Sequence, residues 1–152
     1  FIVSALMNEG INHSQIYENI YETFSESKLR LLGFSITERM EIFDDIGTGI
    51  ICLDGKDLKK FNVGTGDTEG IVNFPLRLKN VKLAVLIVQR PDQVKLSMRS
   101  KGDIDVNKLC FEHFEGGGHK NAAGGKSKVN VNETKKQLLT ILAHFFKKTQ
   151  LK

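Results

Sequence analysis

The spacing of apolar residues changes near residue 38 and divides the chain there. Before that point the apolar positions recur at three and four, as helices require. Phe1, Ile2, Ala5 and Leu6 begin the series, which stops at Gly10. Asn12 or His13 opens a second helix with Ile16, Tyr17, Ile20, Tyr21 and Phe24 on one face. An aromatic stripe of this kind is expected to be core. Ser25 or Ser27 can cap a third helix carrying Leu29, Leu32 and Ile36. A helix that opens uncapped on Phe1 reads as cut from a longer chain. Residues 1–37 are therefore expected to be a helical connector, and residues 38–152 a domain of their own.

From Arg39 onward, strand and helix patterns mix. Met40–Phe43 and Thr48–Leu53 predict a hairpin about the turn Asp44-Asp45-Ile46-Gly47. Adjacent carboxylates at a turn are usually solvated, and Asp44 and Asp45 are read so rather than as metal ligands. Asp54 predicts an N-cap for a short helix through Phe61, with Asp57 in its first turn. The loop Asn62–Gly70 has the spacing G-x-G-x-x-x-G, and no strand leads straight into it, so a dinucleotide fingerprint is excluded. Val81–Val88 is nearly all apolar, as in a strand buried on both faces. The next strand alternates: Val94, Leu96 and Met98 on one side, Lys95, Ser97 and Arg99 on the other. Asp103 or Asp105 caps a helix with Val106, Leu109 and Cys110 inward. Lys126–Val131 predicts a last strand. Asn132 is the expected cap of a long final helix buried through Leu138, Leu139, Leu142, Phe145 and Phe146, with His144 an ordinary last-turn histidine. The fold class is α/β: a mixed β-sheet flanked by helices, preceded by a helical connector.

Chemistry concentrates in Glu115–Gly125, E-G-G-G-H-K-N-A-A-G-G, which holds five of the 14 glycines. Gly116, Gly117 and Gly118 permit close approach of a ligand to the backbone. His119 follows, and Ala122 and Ala123 are expected to begin a tight helical turn. Glycine loop, histidine and helix start together suit an anion. The competing reading is a flexible hairpin with a surface histidine, against which the Ala-Ala-Gly-Gly that follows argues. Arg99 adds a planar fork suited to phosphate, while Lys95 is read as a solvated face.

Composition changes this picture little. The chain is 40% hydrophobic and 26% charged, with a net charge of +4 that decides nothing about partners alone. No apolar run is long enough for a membrane and no secretion signal opens the chain. Cys52 and Cys110 are isolated, which suggests buried thiols in a reducing cytoplasm; spacing leaves a disulfide open. His13, His113, His119 and His144 do not group with aspartates, so no metal site is expected within the chain.

The motif G-G-G-H-x-x-A-A-G, with Ser-Met-Arg-Ser upstream, resembles the substrate-binding C-terminal domain of the DHH phosphoesterases. Within them it is most similar to the bacterial oligoribonucleases that also dephosphorylate adenosine bisphosphate (pAp). The resemblance runs from about Phe1 to about Gly125. It implies that Arg99 and Ser100 hold a terminal phosphate, that Gly116, Gly117 and Gly118 offer N–H groups or room, and that Asn121 joins the substrate site. His119 is implied to anchor the phosphate, favoured in its protonated form, and to help the transition state. Ser97, Asp67, Glu69 and Asn73 are weaker candidates, with capping the alternative for the acidic loop. The family's manganese pair is implied to sit in a missing N-terminal DHH domain, because the Asp-His-His run is absent here. The implied partners are short RNA, pAp and linear or cyclic dinucleotides, in the cytoplasm, with this chain inactive alone. Two other readings stay open: an RNA-binding module like the tail of alanyl-tRNA synthetase, and an interaction domain that dimerises through its apolar helices.

Overall fold

The computed structural model describes residues 9–150. The helix expected at Phe1–Leu6 lies outside the described residues. Helix α1 spans His13–Tyr21 and α2 spans Glu26–Glu38. Asn12 and Ser25 are their N-caps, each accepting a backbone N–H from three residues on. Strands β1 (Met40–Phe43) and β2 (Thr48–Leu53) follow, then helix α3 (Gly55–Lys60). Two short 3-10 turns, Ile71–Asn73 and Pro75–Arg77, lead to β3 (Leu83–Gln89) and β4 (Val94–Ser100). Helix α4 (Val106–His113), strands β5 (Gly117–His119) and β6 (Ala122–Ser127) and helix α5 (Val131–Gln150) complete the domain.

The six strands form one mixed sheet in the order β1-β2-β3-β4-β6-β5. Only β2 and β3 run parallel, and α3 and the 3-10 turns form the crossover that a parallel pair requires. β3 is central, and Leu83 to Val88 are all buried, as their unbroken apolar run predicts. One face of the sheet is covered along its length. Ile50, Val85, Leu96, Met98 and Ala123 pack there against Val106, Leu109 and Cys110 of α4 and Leu138 and Leu142 of α5. The opposite face is covered over one half. There Ile51, Leu53, Ala84, Leu86 and Val88 meet Leu31 of α2 and Ile71 and Val72 of the first 3-10 turn.

Polar clasps fix the elements around these cores. Asp54 and Asp57 form a reciprocal capping box at the start of α3. Asp57, buried, also receives a two-pronged hydrogen bond from Arg39, at 2.9 and 2.8 Å. Burial alone would raise the Asp57 carboxyl. The Arg39 hydrogen bonds, the Asp54 backbone N–H and the charges of Arg39 and Lys60 outweigh it and hold the group below its ordinary range. Lys135 of α5 grips Glu41 of β1 at 2.6 Å. Cys52 and Cys110 are both free thiols, pushed up to about 11 by burial.

Five expectations are corrected. Ile16, Tyr17, Ile20, Tyr21 and Phe24 are 44–65% exposed rather than core, because no described element packs over that face of α1. In α2 it is Leu31 that is buried, while Leu29 is 60% exposed. Ala122 and Ala123 begin no helix; they open strand β6, which ends at Ser127 instead of continuing to Val131. Pairing with β4 over Ala122–Ser127 decides this against the weak strand preference of alanine and glycine. The cap of α5 is Asn130, whose side chain accepts the Glu133 N–H at 3.0 Å, and not Asn132.

Candidate functional site

Among the described residues, neither core extends over β4, β6 and β5 on the second face of the sheet, and the register defines what stands there. Ala122 is the cross-strand partner of both Arg99 on β4 and His119 on β5. Directly opposed residues share a face, so Arg99, Ala122 and His119 form one row across three strands. Strands lie about 4.8 Å apart, which places the Arg99 and His119 backbones about 10 Å from each other. Ala122, between them, is too small to fill the gap. The next row on the same face is Ser97, Gly124 and Gly117. The third is Lys95 beside Lys126. The 3-10 turn Ile71–Asn73 runs against β3 and β4 and borders this floor.

Arg99 is half-buried and spends one N–H on the Met98 carbonyl, at 2.8 Å, leaving its other N–H groups available. His119 is exposed, and its imidazole makes no hydrogen bond or ion pair with a described residue. A partly fixed guanidinium and an unengaged imidazole on one small-residue floor can receive an anion between them. They do so without the helix start that the sequence led us to expect.

The glycines divide into two kinds. A side chain on Gly116 would sit 2.0 Å from the Gly124 carbonyl oxygen, and one on Gly118, whose φ is +155°, 2.6 Å from that of Ala122. These two are glycine because β5 packs closely on β6. Gly117 and Gly124 are different. Neither has a positive φ, and an added methyl would touch only Asn107 Oδ1 or Leu96 O, each at 3.4 Å. The protein itself could hold alanine at both places, so packing does not account for glycine there.

The remaining candidates have mixed fates. The N–H groups of Gly116 and Gly118 are already taken, by the Cys110 carbonyl at 3.2 Å and by Asn107 Oδ1 at 2.7 Å. Those two glycines therefore offer neither free donors nor room, since the β6 backbone fills the space a side chain would take. Ser100 lies on the far face from Arg99; its hydroxyl donates to the Ile104 carbonyl at 2.7 Å and accepts from Asn121 Nδ2 at 2.9 Å. Asn121 also donates to the Gly102 carbonyl at 3.0 Å. Ser100 and Asn121 thus clip the turn of the β5–β6 hairpin to the end of β4, which positions His119. Beside them Lys120 pairs with Asp103 at 2.7 Å; Lys120 lowers Asp103 and Asp103 raises Lys120 through that hydrogen bond. Asp67 caps the Gly64 N–H at 2.7 Å, and Asp67 and Glu69 line a small cleft with Phe24 and Lys28, of which Arg99 is not a lining residue. Asn107, which holds β5 in place, escaped the sequence reading because an asparagine within a short helix carries no local signal.

Among the described residues, no three His, Cys, Asp or Glu side chains come together as a metal-ligand group. No described helix is long and apolar enough to cross a membrane.

Comparison with known proteins identifies the family of the chain. The family model "DHHA1 domain" matches residues 49–148. A probable bifunctional oligoribonuclease and PAP phosphatase NrnA of Streptococcus mutans is 34% identical over 101 residues, covering 66% of this chain and 32% of that protein. A cyclic-di-AMP phosphodiesterase PdeA of Listeria monocytogenes is 31% identical over 114 residues, 74% of this chain and 16% of that one. In three dimensions, an exopolyphosphatase-related protein from Bacteroides fragilis superposes with a TM-score of 0.90 at 37% identity, over 95% of this chain and 42% of that one. The chain thus spans less than half the length of each of these relatives. With the matched span and the glycine–histidine hairpin in hand, the chain belongs to the DHHA1 family, the DHH-associated domain of the DHH phosphoesterases.

Proposed function

We propose that this chain is the substrate-binding half of a manganese-dependent phosphoesterase that hydrolyses short oligoribonucleotides, with pAp or linear and cyclic dinucleotides as further substrates. The observation that carries the reading is the single row of Arg99, Ala122 and His119 on an otherwise bare half-face. Arg99 binds a terminal phosphate through its unspent N–H groups. His119 donates to the same phosphate from the β5 side and offsets charge as the transition state forms. Gly117 and Gly124 leave the floor open to the sugar and base. Each charge-assisted hydrogen bond is worth about 1.5–3 kcal/mol net, and more once water is excluded by a second domain closing over the open face.

The metal pair belongs to the other half of such an enzyme, where it would supply the nucleophile and stabilise the leaving oxygen. The described residues of this chain do not compose a ligand set for it, and their part is to bind, orient and neutralise. The Streptococcus mutans relative named for oligoribonuclease and PAP phosphatase activity supports this choice of substrate.

The test is manganese-dependent hydrolysis of pAp and of a short 5′-phosphorylated RNA by the full-length protein, beside its Arg99→Ala and His119→Ala variants. The reading expects kcat/KM to fall by about a hundredfold in each, and this chain alone to hydrolyse neither substrate. Unchanged kinetics in both variants would refute it. So would tight binding of folded RNA that ignores both substitutions.

A further inference from the structure

The bare face has a second positive end that the phosphate site does not use. Lys95 and Lys126 are direct register partners on β4 and β6. They stand on the same face as Arg99 and His119, four residues further along β4, which is about 13 Å at the rise of a strand. Both side chains are exposed, and neither ammonium group makes a hydrogen bond or ion pair with a described residue. Like charges set directly opposite each other weaken a strand pair. No acid in these rows relieves them: the residues between are Ser97, Gly124 and Gly117. The face therefore presents a cationic site at each end and a bare floor between, with the Ser97 hydroxyl as its polar group.

We propose that Lys95 and Lys126 form a second phosphate site, which receives the backbone of an oligonucleotide whose terminal phosphate is held by Arg99 and His119. This inference rests on the proposed function and narrows it. The separation exceeds that of adjacent phosphates along a strand, so one nucleotide cannot occupy both ends and a short oligonucleotide can. Lys95 and Lys126 then favour longer substrates over pAp, while Arg99 and His119 serve both. The residues between them read no base edge, so the preference is for length and not for sequence. A single-stranded ligand gains from each neutralised phosphate by counterion release, which makes the added affinity sensitive to salt.

The experiment is a titration of the chain with 5′-AMP and with a 5′-phosphorylated pentaribonucleotide, followed through backbone amide signals, for the parent, Lys95→Ser/Lys126→Ser and Arg99→Ala. Both lysines are exposed on strands, so the double variant should fold, and its amide spectrum verifies this directly. The expected result is pentanucleotide affinity reduced about tenfold in the lysine variant, a salt slope shallower by roughly 0.7 for each phosphate left without its lysine, and unchanged 5′-AMP affinity. Arg99→Ala should weaken both ligands. Equal pentanucleotide affinity in the parent and the lysine variant, with Arg99→Ala still defective, would overturn the second site and leave the first standing. Binding of neither ligand near Arg99 and His119 would overturn both.

Discussion

Arg99 and His119 face the same residue, Ala122, from opposite sides, although 20 positions of sequence separate them. A small side chain at that midpoint keeps the space between guanidinium and imidazole open. Ala122→Val should fill it while suiting a strand position well. The expected outcome is an unfolding temperature within a few degrees of the parent and at least about a tenfold loss of phosphate-ester binding. Intact binding would show that no ligand occupies that gap.

The two classes of glycine separate stability from binding. Gly116→Ala places a methyl against the Gly124 carbonyl and should cost about 3 kcal/mol, the upper part of the usual overpacking range. Gly117→Ala has room and an ordinary backbone, and should leave stability unchanged or raise it by about 0.4–1 kcal/mol. Only the second variant should unfold like the parent in urea yet bind nucleotide poorly. Equal destabilisation by both would remove the distinction.

Acid should weaken the clasp at the start of α3. Asp57 is held below the ordinary carboxylate range, so its contribution is complete above the unfolded value of about 4 and is lost as pH falls through the folded value. Asp57→Asn should cost about 1.5 kcal/mol at pH 7, the lower end for a charged hydrogen bond, because Arg39 is partly solvated. The gap between variant and parent should narrow toward pH 3. Urea denaturation of both proteins at the two pH values checks this; a constant gap would contradict it.

The apolar stripe of α1 gives a prediction that runs against its composition. Ile20 and Tyr21 are 59% and 65% exposed. Ile20→Ser with Tyr21→Ser should therefore alter the stability of this chain by no more than about 0.5 kcal/mol per site. A loss of several kcal/mol on thermal unfolding would show that the stripe is packed after all.

These residues also show where a sequence can be read and where it cannot. The strand alternation that sets Arg99 opposite Met98 was legible, because burial of one face imposes a period of two. Asp54 was legible as a cap, and Asn12, Ser25 and Asp105 each as one of two nearby choices, because capping side chains bond locally. The hairpin at Gly117–Ser127 was not. Glycine and alanine carry little preference of their own, and partners on β4, more than 20 residues away in places, decide their conformation. The exposure of Ile16, Tyr17, Ile20, Tyr21 and Phe24 was equally hidden, since periodicity reports an apolar face without saying what covers it. Arg99 and His119 could both be picked out as candidates from residue type and motif. Their shared row depended on a register that no local pattern encodes.

The central claim is that Arg99 and His119 grip one phosphate, and a double-mutant cycle tests it most directly. Binding of a short 5′-phosphorylated RNA would be measured for the parent, Arg99→Ala, His119→Ala and the double variant. The account predicts a loss of about 1.5–3 kcal/mol for each single change. It also predicts a double loss smaller than the sum, by at least about 0.5 kcal/mol, as residues sharing a partner require. Strictly additive losses, or binding indifferent to either residue, would contradict it.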